Sequence, residues 1–220
     1  MKDQLKFLAA NGALKYLKPE MRIGVGTGST VDIFIDALSE SGLSFSEIFT
    51  TSKRSEERLK SRGFTVLNLT EVKEPLPIYV DGADEIDQSL CMIKGGGGAL
   101  TLEKIVAELA NFFVCIVDER KYVQKLGKFP IPVEVISEAI VPICWAIRDE
   151  LGGKPIIRKN FVSEHGHKIL DVHNLHLTNP MDVEIKLNSI PGVVTNGIFA
   201  NRRADLLLVG TTLGLKTFNN

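Results

Sequence analysis

Residues 81–103 read DGADEIDQSLCMIKGGGGALTLE, and the rest of the chain is legible from this stretch outward. It follows the apolar run Pro77 to Val80, which has the composition of a buried strand, so Asp81 and Asp84 are expected to emerge at that strand's C-terminal end. Open α/β sheets place their ligands there. Lys94 and four consecutive glycines come next, and with no side chains from Gly95 to Gly98 the backbone N–H groups can approach a bound oxygen. Ala99 to Ala110 has the pattern of a helix, with Glu103 early in it. An anionic or oxyanionic ligand is implied.

The flanking segments alternate strand and helix. Leu5, Leu8, Ala9, Ala13, Tyr16 and Leu17 recur at helical spacing, which predicts a helix over residues 3–17 that Pro19 stops. Met21 to Val25 predicts a strand, then Gly26-Thr27-Gly28-Ser29-Thr30 a turn, then Val31 to Leu38 a helix. Strands are also expected at Ile48–Thr51, Phe64–Leu67 and Phe112–Val117, with a helix capped by Ser52 or Ser55 and ending near Gly63. This alternation predicts a doubly wound, largely parallel sheet.

From Pro130 the rhythm changes. Strands at 133–136, 155–158, 168–172 and 193–199, with helices near 140–151 and 181–189, spell βαββαβ, a ferredoxin-like order. The final apolar run Leu206 to Val209 suits the interior of the first sheet. The expected fold is therefore α/β: a Rossmann-like domain over residues 1–128 and 204–220, with an inserted ferredoxin-like α+β domain over 129–203.

Composition narrows the class of partner. With 26 basic against 27 acidic residues, interspersed, the chain has no electrostatic footprint for nucleic acid or an anionic membrane, and a small molecule is expected instead. Cys91, Cys115 and Cys144 are odd in number and set among apolar neighbours, which predicts buried thiols in a reducing, cytoplasmic compartment. No apolar run approaches the ~20 residues of a membrane span, so a soluble protein is expected.

Two familiar readings of the GTGST turn fail. A dinucleotide fingerprint starting at Gly24 needs glycine where Ser29 stands, and a nucleotide P-loop needs lysine where Gly28 stands. What remains is a short anion cradle of backbone amides and the hydroxyls of Thr27, Ser29 and Thr30; the plainer alternative is a glycine turn capped by Ser29. Asp81, Asp84, Glu85 and Asp87 do not have the spacing of an EF-hand, and His165, His167, His173 and His176 lack a completing cluster, so surface histidines and turn carboxylates are the plainer readings. Lys53 and Arg54 read as a solvated face.

Taken in order, GTGST at 26–30, TTSKRSEE at 50–57, DGADEID at 81–87, KGGGGAL at 94–100 with Glu103, LGKFPIPVEV at 126–135 and IPGVVTNGIFANRRAD at 190–205 resemble the type A ribose-5-phosphate isomerases over nearly the whole chain. The resemblance implies a cytoplasmic homo-oligomer, commonly a homodimer, that interconverts ribose 5-phosphate and ribulose 5-phosphate with no metal or cofactor. It implies that Thr27, Gly28, Ser29 and Thr30 form the phosphate loop and that Asp81 and Asp84, with Gly82 and Ala83, contact sugar hydroxyls. By the same resemblance Lys94, Gly95, Gly96 and Gly97 line the substrate site, Glu103 accepts the proton and Lys121 is a further site residue, with Lys6 a weaker match for phosphate. The sequence departs from the family pattern at Asp118-Glu119-Arg120, before Lys121, and at Arg203. Sugar-phosphate sensor domains and CoA transferases share a related sheet; the first should carry a helix-turn-helix module, and the phosphate-loop, aspartate and lysine set argues against the second.

Overall fold

Ile23, Val25, Val80, Val114 and Ile116 are fully enclosed because their strands have both faces covered, the environment that continuous apolar runs require. In the computed structural model, which describes residues 2–219, β1 (Met21–Val25), β2 (Phe45–Thr50), β3 (Ile78–Asp81), β6 (Phe113–Asp118), β12 (Leu206–Thr211) and β13 (Gly214–Asn219) form one six-stranded sheet. Its order is β13-β12-β6-β3-β1-β2, parallel throughout except at the β12–β13 edge. The chain moves outward from β1 to β2 and then returns to the other side of β1 for β3. The strand order therefore reverses between β1 and β3, the switch point at which such sheets open a ligand crevice.

Helices α1 (Lys2–Ala13), α2 (Ser29–Glu40) and α3 (Lys53–Ser61) supply Ala9, Ala13, Phe34, Leu38 and Leu59 to the core on this sheet. Helix α4 (Leu100–Leu109) contributes Val106, which faces Gly24 of β1. Helix α1 is shorter than its apolar period predicts. It tightens into a 3-10 turn at Leu14–Tyr16 and ends where Leu17, two residues before Pro19, turns extended. The expected strand at Phe64–Leu67 shrinks to one bridge between Phe49 and Leu67. Asn68 starts a capped 3-10 turn immediately afterwards, and the local capping box takes the backbone that a strand would have used.

The second compact unit carries the βαββαβ order. Strands β7 (Ile131–Val135), β8 (Lys154–Ile157), β9 (Lys168–His173) and β10 (Val193–Asn196) form an antiparallel sheet ordered β10-β7-β9-β8, with α5 (Ile140–Leu151) and α6 (Pro180–Asn188) in the crossovers. Pro142 is accommodated because it stands in the first turn of α5, where its missing N–H leaves no helix bond unmade. The expected strand over 193–199 divides at Gly197, and its second half, β11 (Ile198–Phe199), pairs in a separate small sheet with β5 (Met92–Ile93), beside β4 (Glu85–Ile86).

The units comprise Met1–Ala83, Leu102–Tyr122 and Ala204–Asn220, and Asp84–Thr101 with Val123–Arg203. Residues 84–101 and 123–128 group with the second unit. The β4–β5 hairpin pairs with β11, and the buried Glu85 carboxylate accepts the N–H groups of Gly127 and Phe129 at 2.8 and 2.7 Å. Among the described residues no helix is long and apolar enough to cross a membrane.

Candidate active site

In the first unit the candidate residues gather at the C-terminal ends of β1 and β3. Asp81 closes β3, fully buried, and its Oδ1 accepts the backbone N–H groups of Thr27 at 3.0 Å and Gly82 at 2.7 Å. Gly26 permits this approach: any Cβ there would overlap the Asp81 carboxyl. The Tyr79 hydroxyl donates to Asp81 Oδ2. Burial, and then the negative charges of Asp81 and Glu103, hold the Tyr79 hydroxyl well above its ordinary pKa, so it stays a donor. Glu103, in the first turn of α4 and itself buried, therefore belongs to the same electrostatic neighbourhood as Asp81.

Thr27 to Thr30 lead into α2, whose cap is Gly28; no side chain caps it, so the plain Ser29-cap reading does not hold. Ser29 is instead the first helical residue, and its Oγ accepts from Lys6 Nζ at 2.9 Å. The turn is fixed from α3: Ser52 Oγ donates to Thr27 Oγ1 at 2.9 Å, and Ser55 Oγ donates to the Gly26 carbonyl at 2.6 Å. The open amides at the start of α2, beside the Lys6 ammonium, suit an anion. Lys121 ends the 3-10 turn Glu119–Lys121 that follows β6. Beside it, burial would raise the Asp118 pKa, but hydrogen bonds from Arg120 Nε and Nη2, both 2.8 Å, prevail and lower it, with Lys121 adding to the effect. Arg120, the departure from the family pattern, is thus folded back on Asp118.

In the second unit, Asp84 Oδ2 accepts the Gly96 N–H at 2.7 Å, so this carboxylate organises the glycine loop from within. Lys94 is almost fully buried, its Nζ 5.7 Å from the centre of the Phe199 ring and its N–H on the Gly197 carbonyl at 2.8 Å. Gly97 is exposed at the loop's tip. The other two acids of the DGADEID stretch have structural work: Glu85 holds the 127–129 backbone, and Asp87 accepts the N–H groups of Ser89 and Cys91. Arg203 donates to the Ser89 carbonyl at 3.2 Å. Among the described residues no group of three or more His, Cys, Asp or Glu side chains is arranged to hold a metal ion. His167 is engaged differently, its Nδ1 2.9 Å from the buried Glu134.

Tyr79 and Arg158 did not stand out in the sequence, and Ser52 and Ser55 stood out only as helix caps. Tyr79 could have been found: it precedes Asp81 by two in a strand, and residues i and i+2 share a face.

The family model for ribose 5-phosphate isomerase A (phosphoriboisomerase A) matches residues 47–214. Among solved structures, ribose 5-phosphate isomerase A from Neisseria gonorrhoeae is 43% identical, with a TM-score of 0.96 over 100% of this chain and 97% of that one. The enzyme from Methanocaldococcus jannaschii is 40% identical, with a TM-score of 0.92 over 99% of each chain. A D-ribose-5-phosphate isomerase in complex with phospho-erythronic acid is 36% identical, with a TM-score of 0.94 over 100% of both. On the family model and on these identities over the whole chain, the chain belongs to the ribose 5-phosphate isomerase A family.

Proposed function

We infer that the chain is an aldose–ketose isomerase that interconverts D-ribose 5-phosphate and D-ribulose 5-phosphate, a reaction of the non-oxidative branch of the pentose phosphate pathway. The observation that carries this reading is a buried carboxylate, Asp81, bound to the glycine turn that opens a helix N-terminus, with a second buried carboxylate, Glu103, in the same compact unit. A family member bound to phospho-erythronic acid, an acid with the phosphate and hydroxyls of the substrate, supports it.

In the proposed mechanism the phosphate is held by the amides of Gly28, Ser29 and Thr30 and the hydroxyls of Thr27, Ser29 and Thr30, with Lys6. Glu103 takes the proton from C2 of the open-chain aldose; the C–H electron pair becomes the C1–C2 double bond, and the carbonyl π electrons move onto O1. Lys94 and the glycine-loop amides stabilise this enediolate. Return of the proton from Glu103 to C1, with the hydroxyl proton of O2 passing to O1, leaves the ketone at C2. Asp81 and Asp84 hold sugar hydroxyls, and Asp81, fixed by Thr27, Gly82 and Tyr79, handles their protons. Lys121 is a further substrate contact. By the same family membership the enzyme is proposed to act in the cytoplasm as a homodimer.

Incubating the purified protein with ribose 5-phosphate and detecting ribulose 5-phosphate tests the reading. Ketose formation to equilibrium is expected, and no formation at any enzyme concentration would overturn it.

A further inference from the structure

Arg158 follows β8 and opens the ten-residue connection to β9, away from every residue assigned a role above. It is mostly buried, and Asp171 of β9 grips it at two points: Nε donates to Oδ2 at 2.9 Å and Nη2 to Oδ1 at 2.5 Å. Asp171 sits on a strand paired on both sides, opposite Pro132 and Ile156, so the guanidinium is held by a rigid support. Its remaining N–H groups reach the glycine loop: Nη1 donates to the Gly96 carbonyl at 3.2 Å and to the Gly95 carbonyl at 3.4 Å. Phe161 completes the contact, its ring centre 5.2 Å from the guanidinium carbon and its Cζ tip against Gly98.

The consequence follows from peptide geometry. In a trans peptide the C=O and the next N–H point in opposite directions. With the Gly95 carbonyl turned to Arg158, the Gly96 N–H must point away, and it does so, onto Asp84 at 2.7 Å. With the Gly96 carbonyl also turned to Arg158, the Gly97 N–H must face away as well. The Gly96 N–H is taken by Asp84, so of these two amides it is that of Gly97, at the exposed tip of the loop, that is left to meet a ligand oxygen. The cation on the carbonyl side polarises both peptides and strengthens their N–H groups as donors. The Gly95 carbonyl also accepts the Gly98 N–H at 2.9 Å, so the plane that Arg158 chiefly fixes is that between Gly96 and Gly97.

We propose that Arg158 is a positioning residue for the isomerisation: anchored by Asp171, it sets the Gly96 peptide plane so that the Gly97 amide is already aimed at the developing enediolate oxygen. The proposal rests on the isomerase reading and on the oxyanion role of the glycine loop. Arg158 touches no substrate; it acts through the loop.

The experiment compares wild type, Arg158→Lys and Arg158→Ala in three measurements: kcat and KM for ribose 5-phosphate, amide hydrogen exchange across 95–98 in the substrate-free protein, and activity with added guanidinium ion at millimolar concentration. Lysine keeps the charge but cannot span Asp171 and two carbonyls, so Arg158→Lys should lose about 10²-fold in kcat, the size of one oxyanion donor, with KM changed less than about threefold. Exchange across 95–98 should quicken at least about tenfold in both variants, and guanidinium should restore Arg158→Ala by at least about tenfold. Wild-type kcat in Arg158→Lys, unchanged loop exchange, or a loss that guanidinium does not relieve in a folded Arg158→Ala would each overturn the proposal. If Arg158→Ala fails to fold, kcat and loop exchange in Arg158→Lys decide alone. A wild-type enzyme with no turnover would overturn the isomerase reading instead, and the exchange measurement separates the two failures because it needs no catalysis.

Discussion

The Thr27 N–H donates to Asp81 Oδ1 across 3.0 Å, tying the turn after β1 to the last residue of β3 at the point where the strand order reverses. One hydrogen bond thereby couples the turn assigned to phosphate with the carboxylate assigned to sugar hydroxyls. Because the donor is a backbone amide, the coupling depends on the turn's path and not on the identity of residue 27. That path depends on Gly26, which lies against the Asp81 carboxyl.

Gly26→Ala should therefore damage both functions. The added methyl has to displace the Asp81 carboxyl or the turn, at a cost of about 1–3 kcal/mol in stability. The expected outcome is a lower denaturation midpoint and a kcat/KM reduced at least about 100-fold, read by denaturant unfolding and steady-state kinetics. Wild-type kcat/KM in this variant would show that the Thr27–Asp81 link is dispensable.

Phosphate dependence follows from the open start of α2 and the Lys6–Ser29 contact at 2.9 Å. Binding energy from the remote phosphate orients the reacting carbons, so free ribose should have a kcat/KM at least about 10³-fold below that of ribose 5-phosphate. Lys6→Ala should raise KM for ribose 5-phosphate about tenfold, the equivalent of one charge-assisted hydrogen bond, with a smaller effect on kcat. Comparable kcat/KM for ribose and ribose 5-phosphate would sink the phosphate assignment of residues 27–30.

Tyr79 gives a pH signature. Burial, then Asp81 and Glu103, raise its pKa in the folded state well above the ordinary value. Below about pH 10 both states keep the proton and stability is unaffected by this group; above it the unfolded chain releases the proton and the folded chain does not, so stability falls as pH rises, by up to about 1.4 kcal/mol per pH unit. Tyr79→Phe removes that contribution. Its Tm should be lower than wild type at neutral pH, from the lost bond to Asp81, yet should decline less steeply between pH 10 and 11. Parallel declines in the two proteins would contradict the assignment.

The sequence made the doubly wound sheet and the βαββαβ insert legible because both are written in hydrophobic periodicity, which is local. In sequence, residues 84–101 look like a continuation of the β/α alternation; the pairing of Met92 and Ile93 with Ile198 and Phe199, about a hundred residues away, and the bonds of Glu85 to Gly127 and Phe129 group them with the second unit. The candidate acids were found because a carboxylate at a strand end or beside a glycine run is conspicuous. The groups that orient them were not. Ser52 and Ser55 read as cap residues, which Ser52 also is, with no hint that Ser52 reaches Thr27 and Ser55 reaches Gly26. Arg158 lies 62 residues from the glycine it holds, and a lone arginine after a strand is an ordinary surface residue until the fold brings Asp171 and Gly96 to it.

The central claim is that Glu103 carries the proton between C2 and C1, and Glu103→Gln tests it most directly. Glutamine keeps the size and the hydrogen-bonding reach and removes the basic lone pair, so folding should survive while kcat falls toward the upper end of the about 10²- to 10⁴-fold span of a positioned general base, with KM changed much less. The decisive measurement is exchange of the substrate's C2 hydrogen with solvent, followed by isotope incorporation, because it reports proton abstraction apart from product release. A folded Glu103→Gln protein is predicted to show no C2 exchange above the uncatalysed background. Normal exchange together with a tenth or more of wild-type turnover would contradict the account and pass the base role to Asp81.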